Sequence, residues 1–85
     1  MSTKTVPTPI AARKRIAANL KRLRTERGLS QESMAELADF HRTYVSQLER
    51  CVTNISIDGL ERIATALGVD IQVLLQLPME TDEDE

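Results

Sequence analysis

The segment "LSQESMAELADFHRTYVSQLER", residues 29–50, most constrains the fold, because it holds two short amphipathic runs separated by only three or four residues. In both runs apolar residues recur every three or four positions, which is the period of an α-helix. A link this short cannot return the chain antiparallel over a long distance, so the two helices are predicted to cross steeply in a rigid elbow. A rigid elbow suits a protein that must aim one helix at a groove.

The first run is predicted to form a helix from a Ser30 cap to about Ala38, with Met34, Leu37 and Ala38 facing inward. Ala35 is small where the second helix crosses closest. The wedge inside the elbow is predicted to consist of Met34, Ala38, Phe40, Val45 and Leu48.

The second run, predicted to be a helix from Arg42 to Arg50, has one polar side without an acid. Its core side holds Val45 and Leu48, and its outward arc consists of Arg42, Thr43, Ser46, Gln47 and Arg50. Arginine pairs bidentately with guanine, glutamine with adenine, and the threonine methyl contacts thymine. The arc therefore predicts a helix that reads the DNA major groove. The alternative is an ordinary solvated helix face.

The remaining chain predicts three more helices and no strand. The first helix is predicted to have Thr8 as its N-cap and Pro9 at its first position, to continue through the run from Ile10 to Arg27, and to end at Gly28. A fourth runs from a Ser56 cap to Leu67, ends at Gly68, and is predicted to bury Ile57, Leu60, Ile63, Ala64 and Leu67. Asp70 opens a short fifth helix from Ile71 to about Gln76. The expected fold is all-α: a disordered arm (1–8), one five-helix domain (9–78) and a disordered acidic tail (79–85).

Charge is unevenly distributed along the chain. The net charge is −2, but five of the thirteen acids lie in residues 80–85. The first 43 residues hold nine bases against four acids. A basic N-terminal half predicts a polyanionic partner, although a solvated helix face is an equal alternative.

Other classes of function have little support in the sequence. Three glycines leave no phosphate-cradling loop, and one histidine, His41, lacks partners for a metal or a catalytic site. We therefore expect no enzyme, cofactor or metal. The single cysteine, Cys51, favours a reducing cytoplasm, and no apolar run approaches the about 20 residues that a membrane span needs.

Residues 29–50 resemble the helix-turn-helix of the lambda repressor and Cro group, also called the Xre family. "RTYVSQLER" followed by "NISIDGLERIATALGV" is similar to the controller proteins of restriction–modification systems. The resemblance covers about residues 12–77 and implies a lambda repressor-like DNA-binding domain. It implies base contacts from Arg42, Thr43 and Gln47, a phosphate contact from Gln31, and a buried ion pair between Arg24 and Glu49.

This sequence departs from the family pattern at two positions. The family usually has glycine where this chain has Asp39 and Cys51. Both positions are expected to adopt positive φ, at a cost of about 1 kcal/mol for cysteine.

Further contacts with the DNA backbone are expected from residues around the second helix of the elbow, namely Tyr44, Arg50, Thr53 and Asn54. Tyr44 has two alternatives, stacking on a sugar or packing on helix 2. Thr53 and Asn54 could equally be plain turn residues.

The expected partners are double-stranded DNA, a second copy of the chain and RNA polymerase. The apolar residues at the end of helix 4 and in helix 5 predict a homodimer interface made by Leu67, Val69, Ile71, Leu74 and Leu75. The resemblance implies a polymerase contact through Glu32 and Glu36, with ordinary surface charge as the alternative. The expected function is a transcriptional regulator that binds an inverted repeat as a dimer. The alternatives are an antitoxin that binds DNA and a protein-interaction module without DNA binding.

Overall fold

The computed structural model describes residues 11–78, which form five α-helices and no strand. The helices are α1 (Ala12–Glu26), α2 (Gln31–Ala38), α3 (Arg42–Glu49), α4 (Ile57–Leu67) and α5 (Ile71–Leu75). The all-α, five-helix prediction is confirmed. The predicted arm, the Thr8-Pro9 helix start and the acidic tail lie outside the described residues. Within residues 11–78, no helix combines the length and the apolar character that crossing a lipid bilayer requires.

Within the described residues, the first helix begins at Ala12. Ala11 has φ −56° and ψ 146°, so it is the non-helical residue that precedes α1. Its carbonyl accepts hydrogen bonds from the backbone N–H groups of Lys14 and Arg15, at 2.9 and 3.1 Å. The prediction that Ala11 lies inside this helix is therefore wrong, whereas the predicted start at Thr8-Pro9 lies outside the described residues.

Local sequence signals set most of the other helix boundaries. The Ser30 hydroxyl accepts from the Ser33 N–H at 2.9 Å at the start of α2, and Ser56 accepts from Gly59 at 2.9 Å at the start of α4. Each bond satisfies one of the backbone donors that a helix N-terminus leaves unpaired. Gly28 follows α1 with φ +67°.

The core is aliphatic and lies where the inner faces of all five helices meet. Leu20, Met34, Val45, Ile63 and Leu74 have no exposed surface. Around this centre the cluster is completed by Ile16, Leu23, Ala35, Ala38, Leu48, Leu60, Ala64 and Leu67. Burial of this apolar surface is the main favourable contribution to folding.

Two residues predicted to face inward are instead exposed. Leu37 is 57% exposed and Ile57 is 71% exposed. With about 100° of rotation per residue, Leu37 lies about 110° from the middle of the arc that Met34, Ala35 and Ala38 bury. Ile57 lies in the first turn of α4, where side chains tilt back beyond the helix N-terminus and away from the core.

The predicted dimer interface also needs correction. Leu67 is 3% exposed and Leu74 is fully buried, because both fill the chain's own core. Neither has surface left for a second copy. Val69, Ile71 and Leu75 are only partly buried.

Several helix ends are capped by side chains that lie far away in the sequence. Asn19 is 1% exposed, and its amide donates to the carbonyls of Leu74 and Gln76 at the end of α5, at 3.0 and 2.9 Å. The same kind of bond is made by three arginines: Arg15 to Leu75, Arg27 to Leu67, and Arg62 to Ala38 and Asp39. These arginines hold the ends of α5, α4 and α2 in place.

Candidate nucleic-acid interface

The outward arc of α3 is accessible along its whole length. Val45 and Leu48 anchor the inner side of the helix, at 0% and 3% exposure. The arc residues are not buried: Arg42, Thr43 and Arg50 are exposed, and Ser46 and Gln47 are half-buried. The chain's own core therefore leaves this polar surface available to a partner.

An open groove separates the N-terminal end of α2 from the outward arc of α3. Its lining brings together Arg42, Thr43 and Ser46 from the predicted base-reading set with Gln31 from the predicted phosphate-contacting set. The complete lining is Arg24, Ser30, Gln31, Glu32, Arg42, Thr43 and Ser46. Gln47 lies one turn beyond Thr43 on α3 and is not part of the lining.

A charged network beneath the groove joins α1, α2 and α3. The Arg24 guanidinium donates to both Glu49 carboxylate oxygens, at 2.6 and 2.9 Å, and to the Leu29 carbonyl at 2.7 Å. Gln31 Nε2 donates to Glu49 at 3.0 Å. The Arg24 and Glu49 side chains are 11% and 4% exposed. The ion pair implied by the family resemblance is thus present, and together with the Gln31 bond it ties α1 and α2 to the end of α3.

The network also determines which groups remain for a ligand. The hydrogen bonds to Glu49 raise the pKa of Arg24, an effect that burial opposes, so this guanidinium stays charged and engaged. A glutamine amide carries two N–H donors, and Gln31 donates one of them to Glu49. The second N–H remains for a phosphate oxygen.

Tyr44 packs on the turn that follows α2. Its ring lies against Phe40, with 4.9 Å between the ring centroids, and its hydroxyl donates to the Asn54 carbonyl at 2.8 Å. Burial raises the pKa of Tyr44, and the positive charge of Arg62 opposes this shift. Because the hydroxyl proton is engaged, donation to a phosphate would require the bond to Asn54 to break. Of the two alternatives for Tyr44, the contact with Phe40 is closer to packing on helix 2.

The loop after α3 begins with a left-handed residue. Cys51 has φ 63° and Asp39, after α2, has φ 61°, as the departures from glycine at these positions predicted. Thr53 is half-buried and Asn54 is exposed in this loop. Both residues are therefore accessible to solvent at least in part.

Sequence reasoning missed two features of this region. Arg62 crosses from α4, stacks on the Phe40 ring with its guanidinium carbon 4.2 Å from the ring centroid, and donates to the end of α2. Glu32 lies in the groove, with an oxygen 3.8 Å from Arg42 Nη1. Neither pair has a short-range sequence signal, since the partners meet only after the helices have packed.

Comparisons with known proteins place this architecture in a family. Residues 20–74, more than half of the chain, match the family described as Helix-turn-helix. The chain is 49% identical over 47 residues to the control protein C.BamHI of Bacillus amyloliquefaciens, covering 55% of this chain and 58% of that one. It is 42% identical over 65 residues to a hypothetical transcription factor of Neisseria meningitidis, covering 76% of this chain and 61% of that one. The chain therefore spans about three fifths of the length of these two relatives.

Solved structures agree with the sequence relatives. The restriction–modification controller protein C.AhdI from Aeromonas hydrophila superposes with a TM-score of 0.72 at 37% identity, over 76% of this chain and 98% of that chain. SinR, solved in complex with DNA, gives a TM-score of 0.68 at 37% identity, over 72% and 98%. The chain belongs to the Xre-like helix-turn-helix family and has its DNA-binding fold.

Proposed function

We propose that this chain is a transcriptional regulator that binds an inverted-repeat DNA site as a symmetric dimer and reads it with α3. The observation that carries the proposal is the accessible, acid-free arc of α3, whose donors the chain's own core does not use. Of its members, Arg42, Thr43, Ser46 and Gln47 suit base edges. Support comes from the SinR neighbour, whose structure contains DNA.

Contacts with the DNA backbone would come from both sides of the reading helix. Gln31 at the start of α2 keeps one N–H for a phosphate, and the helix N-terminus adds a favourable dipole there. Arg50, Thr53 and Asn54 would meet the backbone beyond the other end of α3. These contacts would set the position of α3 without carrying sequence information themselves.

Dimerisation would place two reading helices in successive major grooves, about 34 Å apart. The surface proposed for the second copy is the apolar face made by Val69, Ile71 and Leu75, which the monomer only partly buries. Leu77, 60% exposed, extends this face. A symmetric interface of this kind would match the symmetry of an inverted repeat.

Contact with RNA polymerase would distinguish activation from repression by simple occlusion of a promoter. Of the two acids on α2, Glu36 is exposed and does not line the groove, whereas Glu32 faces Arg42. Glu36 is therefore the better candidate for such a contact. A DNA target would place the protein in the cytoplasm of a prokaryotic host.

Selection of bound fragments from random duplex DNA tests the proposal. We expect a two-fold symmetric consensus. Binding should weaken steeply as the salt concentration rises, because the protein's basic side chains displace counterions from the DNA phosphates. Recovery of no consensus, with binding that does not respond to salt, would instead favour a protein-interaction module. A protein that co-purifies with the chain in stoichiometric amount would favour the antitoxin alternative.

Two substitutions test whether α3 reads the DNA bases. Arg42→Ala and Gln47→Ala should each weaken binding to the selected site by about 1–3 kcal/mol and relax the preference at one position. Lys21→Ala, at an exposed base on α1, is the control and should weaken all sequences equally and slightly. Retention of both affinity and preference in the two α3 variants would remove α3 from the proposal.

A further inference from the structure

A carboxylate occupies the groove that the proposed function presents to DNA. Glu32 Oε1 lies 3.8 Å from Arg42 Nη1, and the two side chains are 66% and 67% exposed. Glu32 is the one acid among the residues that line the groove, and the other lining cation, Arg24, is engaged by Glu49. An acid at this point opposes the approach of a polyanion unless its charge stays compensated.

The chemistry of Arg42 determines whether that charge stays compensated. A guanidinium has five N–H donors, and a guanine edge takes two of them through O6 and N7. Arg42 bound to guanine can therefore keep Glu32 as a neighbour on its remaining donors. A phosphate also accepts two of these donors, but it is anionic, so Arg42 bound to a phosphate brings a second negative charge toward the Glu32 carboxylate, whereas the guanine edge is neutral.

We propose that Glu32 is a specificity-determining residue, which penalises the phosphate-bound orientation of Arg42 and tolerates the guanine-bound one. The inference rests on the proposed function, since it requires α3 to enter DNA. Glu32 touches Arg42, and through it discriminates an operator from unrelated sequence. Its effect falls mainly on non-specific binding, which phosphate contacts dominate.

Glu32→Gln tests this role, because it keeps the shape of the side chain and removes the charge. We expect affinity for an unrelated duplex to rise about two- to fivefold, the range that one exposed ion pair can supply. The salt dependence of that binding should steepen by about 0.9 in log–log slope, the value of one added phosphate contact. Affinity for the selected operator should rise less, so the ratio of specific to non-specific affinity should fall.

Glu36→Gln is the matched control, since Glu36 lies one turn along α2, is exposed, and is absent from the groove lining. It changes the net charge equally and should leave the affinity ratio unchanged. The Glu32→Gln change is also made in an Arg42→Ala background, where its effect on the ratio should disappear. Thermal melts of each variant verify that the fold is intact.

Two results would overturn the inference. One is an equal effect of Glu32→Gln and Glu36→Gln, and the other is an effect of Glu32→Gln that persists without Arg42. In both results the parent protein still prefers its operator, so the proposed function would stand. A parent protein without sequence preference would overturn the proposed function and this inference together.

Discussion

At residue 51 the backbone adopts a conformation that most L-amino acids avoid. Cys51 has φ 63°, and its N–H still closes the end of α3 by donating to the Leu48 carbonyl at 3.1 Å. The left-handed region crowds the Cβ atom against the backbone, and glycine has no such atom. The cost at this position is therefore set by a single atom.

Replacement of this residue isolates that cost. Cys51→Gly should raise the free energy of unfolding by about 1 kcal/mol, measured by denaturant titration. Cys51→Ala is the control, since it also loses the thiol but keeps the Cβ atom, and it should give no gain. A glycine variant no more stable than the alanine variant would contradict the prediction.

Glu49 shows how much one buried charge can depend on its partners. Its carboxylate accepts from Arg24 and Gln31 and is 4% exposed. Glu49→Gln should lower the free energy of unfolding by about 2–4 kcal/mol, because it leaves the Arg24 charge uncompensated in a poorly solvated position.

The matched control for Glu49→Gln is Glu26→Gln. Glu26 pairs with Arg22 at 3.4 Å, but its side chain is 54% exposed. The cost there should stay below about 0.5 kcal/mol, as for other exposed pairs within a helix. Equal losses from the two changes, measured in the same denaturant titration, would contradict the distinction between them.

At the scale of helices, starts and ends were predictable to different degrees. Ser30 and Ser56 cap the helices that follow them, and the signal for each is contained in a few neighbouring residues. The ends of α4 and α5 are completed by Arg27 and Asn19, which lie 40 and more than 50 residues away. No periodicity encodes such a contact, and no local pattern indicated that Arg15 and Arg27, two of the bases of the N-terminal half, would hold helix ends.

In the candidate site, too, local features were predictable from the sequence and contacts between helices were not. The polar arc of α3 follows from periodicity within eight residues, and the buried Val45 and Leu48 confirm it. The contact of Glu32 with Arg42 depends on the angle of the elbow, which the sequence restricts but does not define. Leu37 was misplaced because an amphipathic pattern leaves the edge of the buried arc uncertain by about one residue.

Asn19 provides the test at this scale. Asn19→Ala should lower the free energy of unfolding by about 1–3 kcal/mol, since the buried bond to the Leu74 carbonyl and the partly buried bond to the Gln76 carbonyl are both lost. Asn54→Ala, in an exposed loop, is the control and should change stability by less than about 0.5 kcal/mol. Thermal denaturation of both variants measures the difference, and equal losses would contradict a structural role for the buried amide.

For the whole molecule, the proposed dimer depends on the apolar face made by Val69, Ile71 and Leu75. Ile71→Glu places a charge among Val69 and Leu75, so it should dissociate the proposed dimer and weaken operator binding. Sedimentation equilibrium of the parent and the variant measures the first effect directly.

Leu37→Glu is the control for assembly, because Leu37 is an exposed leucine on α2 rather than on the proposed face. This variant should sediment as the parent does. A parent that sediments as a monomer in the presence of its operator would exclude the symmetric assembly. An unchanged Ile71→Glu dimer would move the interface to another surface.

The bonds of Arg15 and Asn19 to the end of α5 join the first described helix to the last. The packing of α1 and of α5 therefore depends on both helices being present, and deleting either one should destabilise the fold. A chain shortened to end before residue 74 would leave the buried Asn19 amide without its acceptors. A chain shortened to begin after residue 19 would leave the carbonyls at the end of α5 without their donors. Anyone fusing this domain to a reporter should attach it outside that junction, through a spacer that leaves both segments intact.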